Sequence, residues 1–329
     1  MVELRPGFVG AELRGWEDDG VEDDVVFAEE LVELDVLRIA PPLFPATQLG
    51  THEPWTKLHH LSSTEYLTYE GGKFSKSRGI GVFGDSAQKT GVASDIWRFF
   101  LASHRPESSD TEFTWDAFIS DNNNLLLKNL GNLVSRVLKF VNSPNYDNVI
   151  PAWTYHEPSF DAFKDTINDL LARYIQDLDA VKLRAGVSTV LAISQQGNGF
   201  LQSHKLDGNL FRNEPAKCAA VIGLAVNLVH LLAALLAPYM PDTAGSINQQ
   251  LCVDLLPIPD RWDADSIGGG HRIGKARHLF RPIDPEKAGE WRGLFGAEGG
   301  GKGKGRKGKG GDGKKVVKGG DSVTGDLPK

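Results

Sequence analysis

Cysteine is scarce. Only Cys218 and Cys252 occur in 329 residues, which excludes a disulfide scaffold and a four-cysteine zinc knuckle. Residues 1–10 hold no basic stretch followed by an apolar one, so no secretory signal is expected and the expected setting is a reducing one, the cytoplasm or else an organelle matrix. No internal repeat is visible. His52, His59 and His60 read as loop and helix-end residues, not as metal ligands. Positive charge is also in short supply, with 36 basic against 43 acidic side chains and a formal net charge of −7. One apolar run, Cys218 to Leu236, approaches the roughly 20 residues that cross a bilayer. Asn227 and His230 interrupt it, and Lys217 and Pro238 close it off, so it reads as the buried central helix of a bundle and no membrane partner is expected.

The rest of the composition describes a folding chain. It is 40% hydrophobic and 24% charged, enough apolar material for one large domain or two ordinary ones. The negative total hides an asymmetry. Residues 1–40 carry 12 acids and 3 bases, whereas residues 299–318 carry 8 bases and 1 acid. A near-neutral body with an acidic head and a basic Gly/Lys tail is compatible with nucleic acid in a way the total is not.

Along the chain, Val25 to Val36 is a weak apolar run in the acidic head, and Leu43 to Gln48 reads as a short strand after Pro41-Pro42. Gly71-Gly72 and Gly79 bracket a polar basic loop. Asp95 to Leu101 reads as a helix capped by Ser94, with Ile96, Phe99 and Phe100 on one face. From Thr114, apolar residues recur at helical steps through Phe118, Leu126, Leu130, Leu133, Val137 and Phe140 until Pro144. Further helices are expected over 159–178 (a Ser159/Asp161 cap), 180–202, 215–237 and 243–251 (an Asp242 cap). His271 to Asp284 suggests a strand or hairpin against the body, and 285–294 a last helix. The tail from residue 298 is low-complexity and expected to be disordered. Its Gly303–Gly308 stretch matches G-x-G-x-x-G only formally, since it follows no strand and opens no helix.

The densest local chemistry is Lys73-Phe74-Ser75-Lys76-Ser77-Arg78-Gly79. Three cations and two hydroxyls between glycines suit a mobile clamp on phosphate: the lysines neutralise charge developing on a pyrophosphate leaving group, and the hydroxyls donate hydrogen bonds. Composition alone also fits an exposed basic turn. Downstream come Gly81-Val82-Phe83-Gly84-Asp85, Asp95-Ile96-Trp97-Arg98, Arg105-Pro106-Glu107, Asn122-Asn123-Asn124 and Leu130-Gly131-Asn132-Leu133-Val134-Ser135-Arg136. Upstream stands Phe44-Pro45-Ala46-Thr47-Gln48-Leu49-Gly50-Thr51. In order and spacing this text, from about Pro42 to Ala297, resembles the methionyl-tRNA synthetases among the class I aminoacyl-tRNA synthetases, most of all the fungal cytosolic members.

The resemblance implies a mainly α fold, with a partial α/β, Rossmann-type catalytic remnant ahead of an anticodon-binding helix bundle. The expected divisions are an unmatched acidic segment (1–41), the remnant with its loop and stem-contact region (42–112), the helical anticodon-binding domain (113–255), a C-terminal extension packing on the body (256–297) and the tail (298–329). It implies methionine–tRNA ligase chemistry with ATP and Mg2+, methionine and the initiator and elongator methionine tRNAs. Lys73 and Lys76 would act on the ATP phosphates, with Ser75 and Ser77 holding the loop. Asp95, Trp97 and Arg98 would lie in the stem-contact region; a packed, capped helix is the plainer reading of Trp97. Asn132 and Arg136, four apart and hence on one helix face, would read the CAU anticodon, although spacing alone makes them ordinary surface.

Three features depart from the family pattern. The Asn-x-x-Pro-Trp stretch that stacks an anticodon base is replaced by Leu201–Asp207, leaving His204 or another side chain to substitute, or no stack at all. The family's zinc-binding insertion is absent, so no zinc is expected. No His-x-Gly-His occurs, so this chain alone is expected to be inactive. The alternative is a truncated, non-catalytic tRNA-binding protein. The basic tail would hold RNA phosphates non-specifically or simply keep the chain soluble.

Overall fold

The computed structural model describes residues 25–27, 50–51 and 60–296. Most of the acidic head, Leu43–Gln48, His52, His59 and the basic tail lie outside the described residues.

The N-terminal part is built on two short parallel pairings. β1 (Val25–Phe27) pairs with β2 (His60–Ser62), with Val25 opposite His60. β3 (Leu67–Tyr69) pairs with β4 (Thr111–Phe113), with Leu67 opposite Thr111. Parallel partners need a crossover, and α1 (Ser94–Ser103) lies in the one between β3 and β4. Phe99 and Phe100 are its buried face, as the spacing predicts. Its N-cap is Ala93, not Ser94, which falls inside the first turn, so no side chain caps it.

A long helix follows in three parts. α2 (Trp115–Asp121) starts at Thr114, whose hydroxyl accepts the N–H of Ala117 at 3.2 Å. A π-helical stretch, Asn122–Gly131, continues into α3 (Asn132–Val141). Wide π turns of this length are rare and cluster at functional positions. Here they turn two amides onto the C-terminal segment: Asn122 donates to the carbonyl of Arg281 at 3.0 Å, and Asn123 donates to that of Ile283 at 2.7 Å and accepts its N–H at 2.9 Å.

The bundle is completed by α4 (Pro158–Asp179), α5 (Leu183–Ser203), the short α6 (Gly208–Asn213), α7 (Pro215–Leu236) and α8 (Pro241–Leu251). Prolines open α4, α7 and α8, where the missing N–H costs nothing. The caps expected at Ser159/Asp161 and Asp242 are not formed, because these residues fall inside the first turns, after Glu157 and Met240.

The long apolar run is the axis of this fold. Every residue of α7 from Cys218 to Leu236 is buried. Its two polar interruptions explain why it needs protein around it. Asn227 donates to the carbonyls of Gly223 and Ile267 and accepts from the Ile267 N–H and the Ser266 hydroxyl, all within 3.0 Å. His230 meets Ser266 Oγ and the carbonyl of Asp254 at 3.0 and 3.1 Å. Both residues therefore pin the segment after α8 to the bundle.

That segment contains no regular hairpin. Residues 271–284 run extended, with a single antiparallel bridge between Val149 and Arg272, because Asn142, Asn148 and Gln250 side chains and carbonyls take its backbone groups. It ends in α9 (Lys287–Phe295), close to the expected last helix. Trp291 and Phe295 of α9 join Tyr69, Phe100, Phe113, Trp115 and Phe118 in a second core, separate from that of the bundle. The C-terminal segment thus returns to the N-terminal part and closes it.

Candidate functional site

The basic loop is a hairpin. Ser75 and Ile80 exchange both backbone hydrogen bonds at 2.8 and 2.9 Å, and the Gly79 N–H reaches the carbonyl of Lys76 at 3.2 Å. Its base is held by Phe74, whose ring lies 5.2 Å from Tyr69 and 5.9 Å from Phe83. Gly81 has φ +111°, and a Cβ there would stand 2.3 Å from Phe74, so only glycine allows this seat. The Gly81 N–H donates to the carbonyl of Phe295 at 2.9 Å, which couples the loop to α9.

The tip carries the chemistry. Lys73, Lys76, Ser77 and Arg78 are exposed. Arg78 Nε donates to Ser75 Oγ at 3.1 Å, and Ser75 Oγ is 3.5 Å from Ser77 Oγ. Lys73 Nζ lies 5.6 Å from the Tyr66 ring centre. Lys76 has no ion pair among the described residues. Solvated cations and hydroxyls on a glycine-framed hairpin can close on a polyphosphate.

Asp95, Trp97 and Arg98, expected in the stem-contact region, each have partners within the protein. Asp95 is only 4% exposed, and its carboxylate accepts the Thr243 N–H of α8 at 2.6 Å. Arg98 donates to the carbonyls of Tyr239 and Pro238, both at 2.8 Å, just past the end of α7. A carboxylate thus faces a helix N-terminus and a guanidinium a helix C-terminus, each the favourable sign for the helix dipole. Trp97 is half-buried against Phe113 and Phe118, at 5.9 and 4.3 Å. Asp95 and Arg98 of α1 therefore clamp the N-terminal part to the α7–α8 corner, while Trp97 anchors α1 in that part's own core.

Asn132 and Arg136 do share a face of α3. Asn132 Nδ2 donates to Asn198 Oδ1 at 3.0 Å, while Asn198 donates to Asn129 and Ser194, and Ser194 Oγ to Asn129 Oδ1 at 3.0 Å. This amide cluster orients Asn132 and leaves it exposed. Arg136 has neither an ion pair nor a hydrogen bond among the described residues. Gly197 makes the arrangement fit: a Cβ there would stand 2.6 Å from Leu228 and 2.8 Å from Leu133. Asn129, Ser194 and Asn198 escaped sequence reasoning because nothing in a local pattern says that two helices meet there.

His204 does not replace the missing tryptophan. Its side chain is 9% exposed, its ring packs on Phe200 and Phe160, and Nδ1 lies 3.5 Å from Glu157 Oε1. Burial lowers its pKa below the ordinary histidine value. A ring so covered cannot receive a base.

A second unforeseen group closes the N-terminal part. Arg292 of α9 reaches Glu70 at 3.1 Å and also pairs with Asp116. No local signal could have matched these residues, since 222 positions separate Arg292 from Glu70.

Comparison with known proteins fits this geometry. A family model described as tRNA synthetases class I (M) matches residues 16–138, and one described as the anticodon binding domain of methionyl tRNA ligase matches 150–300. The first match starts within the acidic segment, so the expectation that all of residues 1–41 lie outside the family is corrected. Within that stretch, Val25–Phe27 pair with His60–Ser62. The cytoplasmic methionine–tRNA ligase of Saccharomyces cerevisiae is 45% identical over 257 residues, 78% of this chain and 34% of that protein. The probable cytoplasmic methionine–tRNA ligase of Schizosaccharomyces pombe is 46% identical over 263 residues, 78% of this chain and 33% of that protein. The chain thus spans about a third of the length of these relatives. Mycobacterium tuberculosis methionyl-tRNA synthetase, solved with methionyl-adenylate, shares the fold with a TM-score of 0.65 at 22% identity, over 75% of this chain and 48% of that one. By its family models, its relatives and its fold, the chain belongs to the methionyl-tRNA synthetases of class I.

Proposed function

We propose that this chain supplies the phosphate-clamp loop and the anticodon-binding bundle of a cytoplasmic methionine–tRNA ligase. In that reaction the methionine carboxylate attacks the α-phosphorus of ATP. An O–P bond forms, the bond to the bridging oxygen breaks, and pyrophosphate leaves; the methionyl group then passes to the tRNA. Mg2+ enters with ATP as part of the substrate. Lys73 and Lys76 neutralise the charge that builds on the departing phosphates, Lys76 from the hairpin tip, while Ser75 and Ser77 hold the tip in shape. Asn132 and Arg136 hydrogen-bond the splayed bases of the CAU anticodon in initiator and elongator methionine tRNAs. Asp95, Trp97 and Arg98 act at the stem-contact region as positioning residues. The working units are the loop-bearing remnant (42–112), the bundle (113–255) and the extension (256–297), with the family match reaching back to residue 16.

The observation that carries this reading is the pair on α3: an exposed, oriented amide beside a half-buried guanidinium with no partner among the described residues. Full-length chain should bind a CAU anticodon stem-loop in preference to one with a permuted anticodon. Asn132→Ala combined with Arg136→Ala should weaken that binding at least tenfold, in line with about 1–3 kcal/mol per specific base contact. Unchanged affinity in the double variant overturns the anticodon assignment.

The absence of His-x-Gly-His favours a second reading for the chain taken by itself, a non-catalytic tRNA-binding protein. The purified chain should give no methionine-dependent ATP–pyrophosphate exchange. Exchange that disappears in Lys76→Ala would establish it as an enzyme on its own.

A further inference from the structure

Beside the Asn132/Arg136 pair, the extended segment after the bundle forms an open pocket of about 560 Å³ with the end of α3. Its charged lining is Lys139, Arg272 and Lys275, with the amides of Asn142 and Asn148 at its floor. The amides are spent on structure: Asn142 donates to Asn148 Oδ1 at 2.8 Å and to the Gly274 carbonyl at 3.0 Å, and accepts the Ala276 N–H. The cations are not. Lys275 is exposed and has no partner among the described residues, and Lys139 is exposed with only His278 Nε2 at 3.4 Å. The one carboxylate at the rim, Asp147, lies 3.9 Å from Arg272, and both groups are largely solvated. The pocket is therefore net positive.

Its position gives that charge a meaning. Asn132, Arg136 and Lys139 follow the i, i+4, i+7 rule, so they form one stripe along α3, about 10 Å long. At one end the stripe offers groups able to read base edges. At the other it runs into a cationic pocket without hydrogen-bond donors arranged for bases. A strand whose bases reach Asn132 and Arg136 must carry its phosphates somewhere within a few nucleotides, and Lys139 at the end of the stripe, with Lys275 and Arg272 across the pocket, offers solvated cations there.

Resting on the anticodon reading above, we propose that this pocket binds the phosphodiester backbone of the RNA strand flanking the anticodon. The extension that closes it thereby becomes part of the RNA interface. Lys139 and Lys275 are the principal contacts, with Arg272 held at the edge by Asp147. Such contacts supply affinity and register but no sequence preference.

The test compares full-length wild type, Lys139→Ala/Lys275→Ala and Lys182→Ala, titrated with CAU and permuted-anticodon stem-loops between 50 and 300 mM salt. Lys182 is an exposed lysine sixteen positions from Asn198 on α5, about 24 Å away, and serves as the control for losing a surface lysine outside the pocket. The double variant should bind the CAU stem-loop about tenfold more weakly near physiological salt. Its log K against log [salt] slope should fall by roughly 1.4, that is 0.7 for each of two lost phosphate contacts. The ratio of CAU to permuted affinity should stay at the wild-type value, and Lys182→Ala should match wild type. Both lysines are exposed, so the fold should survive; the single variant Lys275→Glu provides a second reading and should steepen the loss of affinity. Unchanged affinity and slope in a chain that still prefers CAU would overturn the phosphate site alone. Loss of CAU preference in the lysine variant would overturn it too, by showing that the pocket reads bases. A wild type without CAU preference would instead remove the anticodon reading, and this proposal with it.

Discussion

The Oδ2 atom of Asp95 accepts the backbone N–H of Thr243 at 2.6 Å, so a residue from the loop-bearing part of the chain caps a helix of the bundle. Three residues along α1, Arg98 holds the carbonyls of Pro238 and Tyr239. The clamp grips both sides of one corner. Removing the carboxylate leaves a buried N–H without its acceptor. Asp95→Ala should therefore cost about 2 kcal/mol in urea denaturation, and Asp95→Asn, which keeps an acceptor, clearly less. Equal stability of Asp95→Ala and wild type would show that the cap is dispensable.

The seat of Phe74 predicts how the hairpin fails. At Gly81 a side chain meets both a positive φ and the Phe74 ring. Gly81→Ala should cost about 1–3 kcal/mol and alter near-ultraviolet circular dichroism as the aromatic contacts with Tyr69 and Phe83 loosen. Adding Phe74→Ala should relieve the collision but not the backbone strain, so stability should not return to wild type. A fully stable, spectrally unchanged Gly81→Ala would contradict this account of the loop base.

Close approach of α5 to its neighbours governs the amide cluster. In Gly197→Ala the new methyl meets Leu228 and Leu133, which must shift and carry Asn198 away from Asn132. The expected result is a loss of about 1–3 kcal/mol in stability together with weaker CAU stem-loop binding. If stability falls while RNA affinity holds, Asn198 does not orient Asn132.

Acid should act through Glu157. Hydrogen bonds from Ser159 and Lys217, with a further one from Tyr155, hold its carboxyl down to about 2 against an ordinary value near 4.5. A depressed carboxylate stabilises the fold above its unfolded-state value, and that contribution disappears as pH falls from about 4.5 towards 2. Beside it, burial depresses His204, so the unfolded chain takes up that proton first and stability already begins to decline below about 6.5. Glu157→Gln should flatten the melting-temperature profile between pH 4.5 and 2, and His204→Gln should flatten the shallower decline above it. Unaltered profiles would place the acid sensitivity elsewhere.

Much of the architecture was legible from residue order. Apolar residues at helical spacing located the long helices, and Pro215 marked where α7 begins, whereas the prolines that open α4 and α8 went unread in favour of caps one or more residues further on. The apolar run from Cys218 to Leu236 was recognisable as a core helix from its two polar interruptions, whose partners turned out to be the chain just beyond it. Caps were less legible. Ser94, Ser159 and Asp242 have the right side chains, yet each falls inside its helix, and α8 takes its acceptor from Asp95 instead.

By itself, the sequence determined the helices, the buried axis, the composition of the Lys73–Gly79 hairpin and the shared face of Asn132 and Arg136. These follow from spacing along the chain, which local backbone geometry converts directly into position. Tertiary structure alone decided that Asp95 and Arg98 serve a distant corner, that His204 is covered, that Asn198 orients Asn132, and that Lys139 meets Lys275 across a pocket. Each of these joins residues far apart in sequence, and only the packing of whole helices against one another brings such groups within a few ångströms.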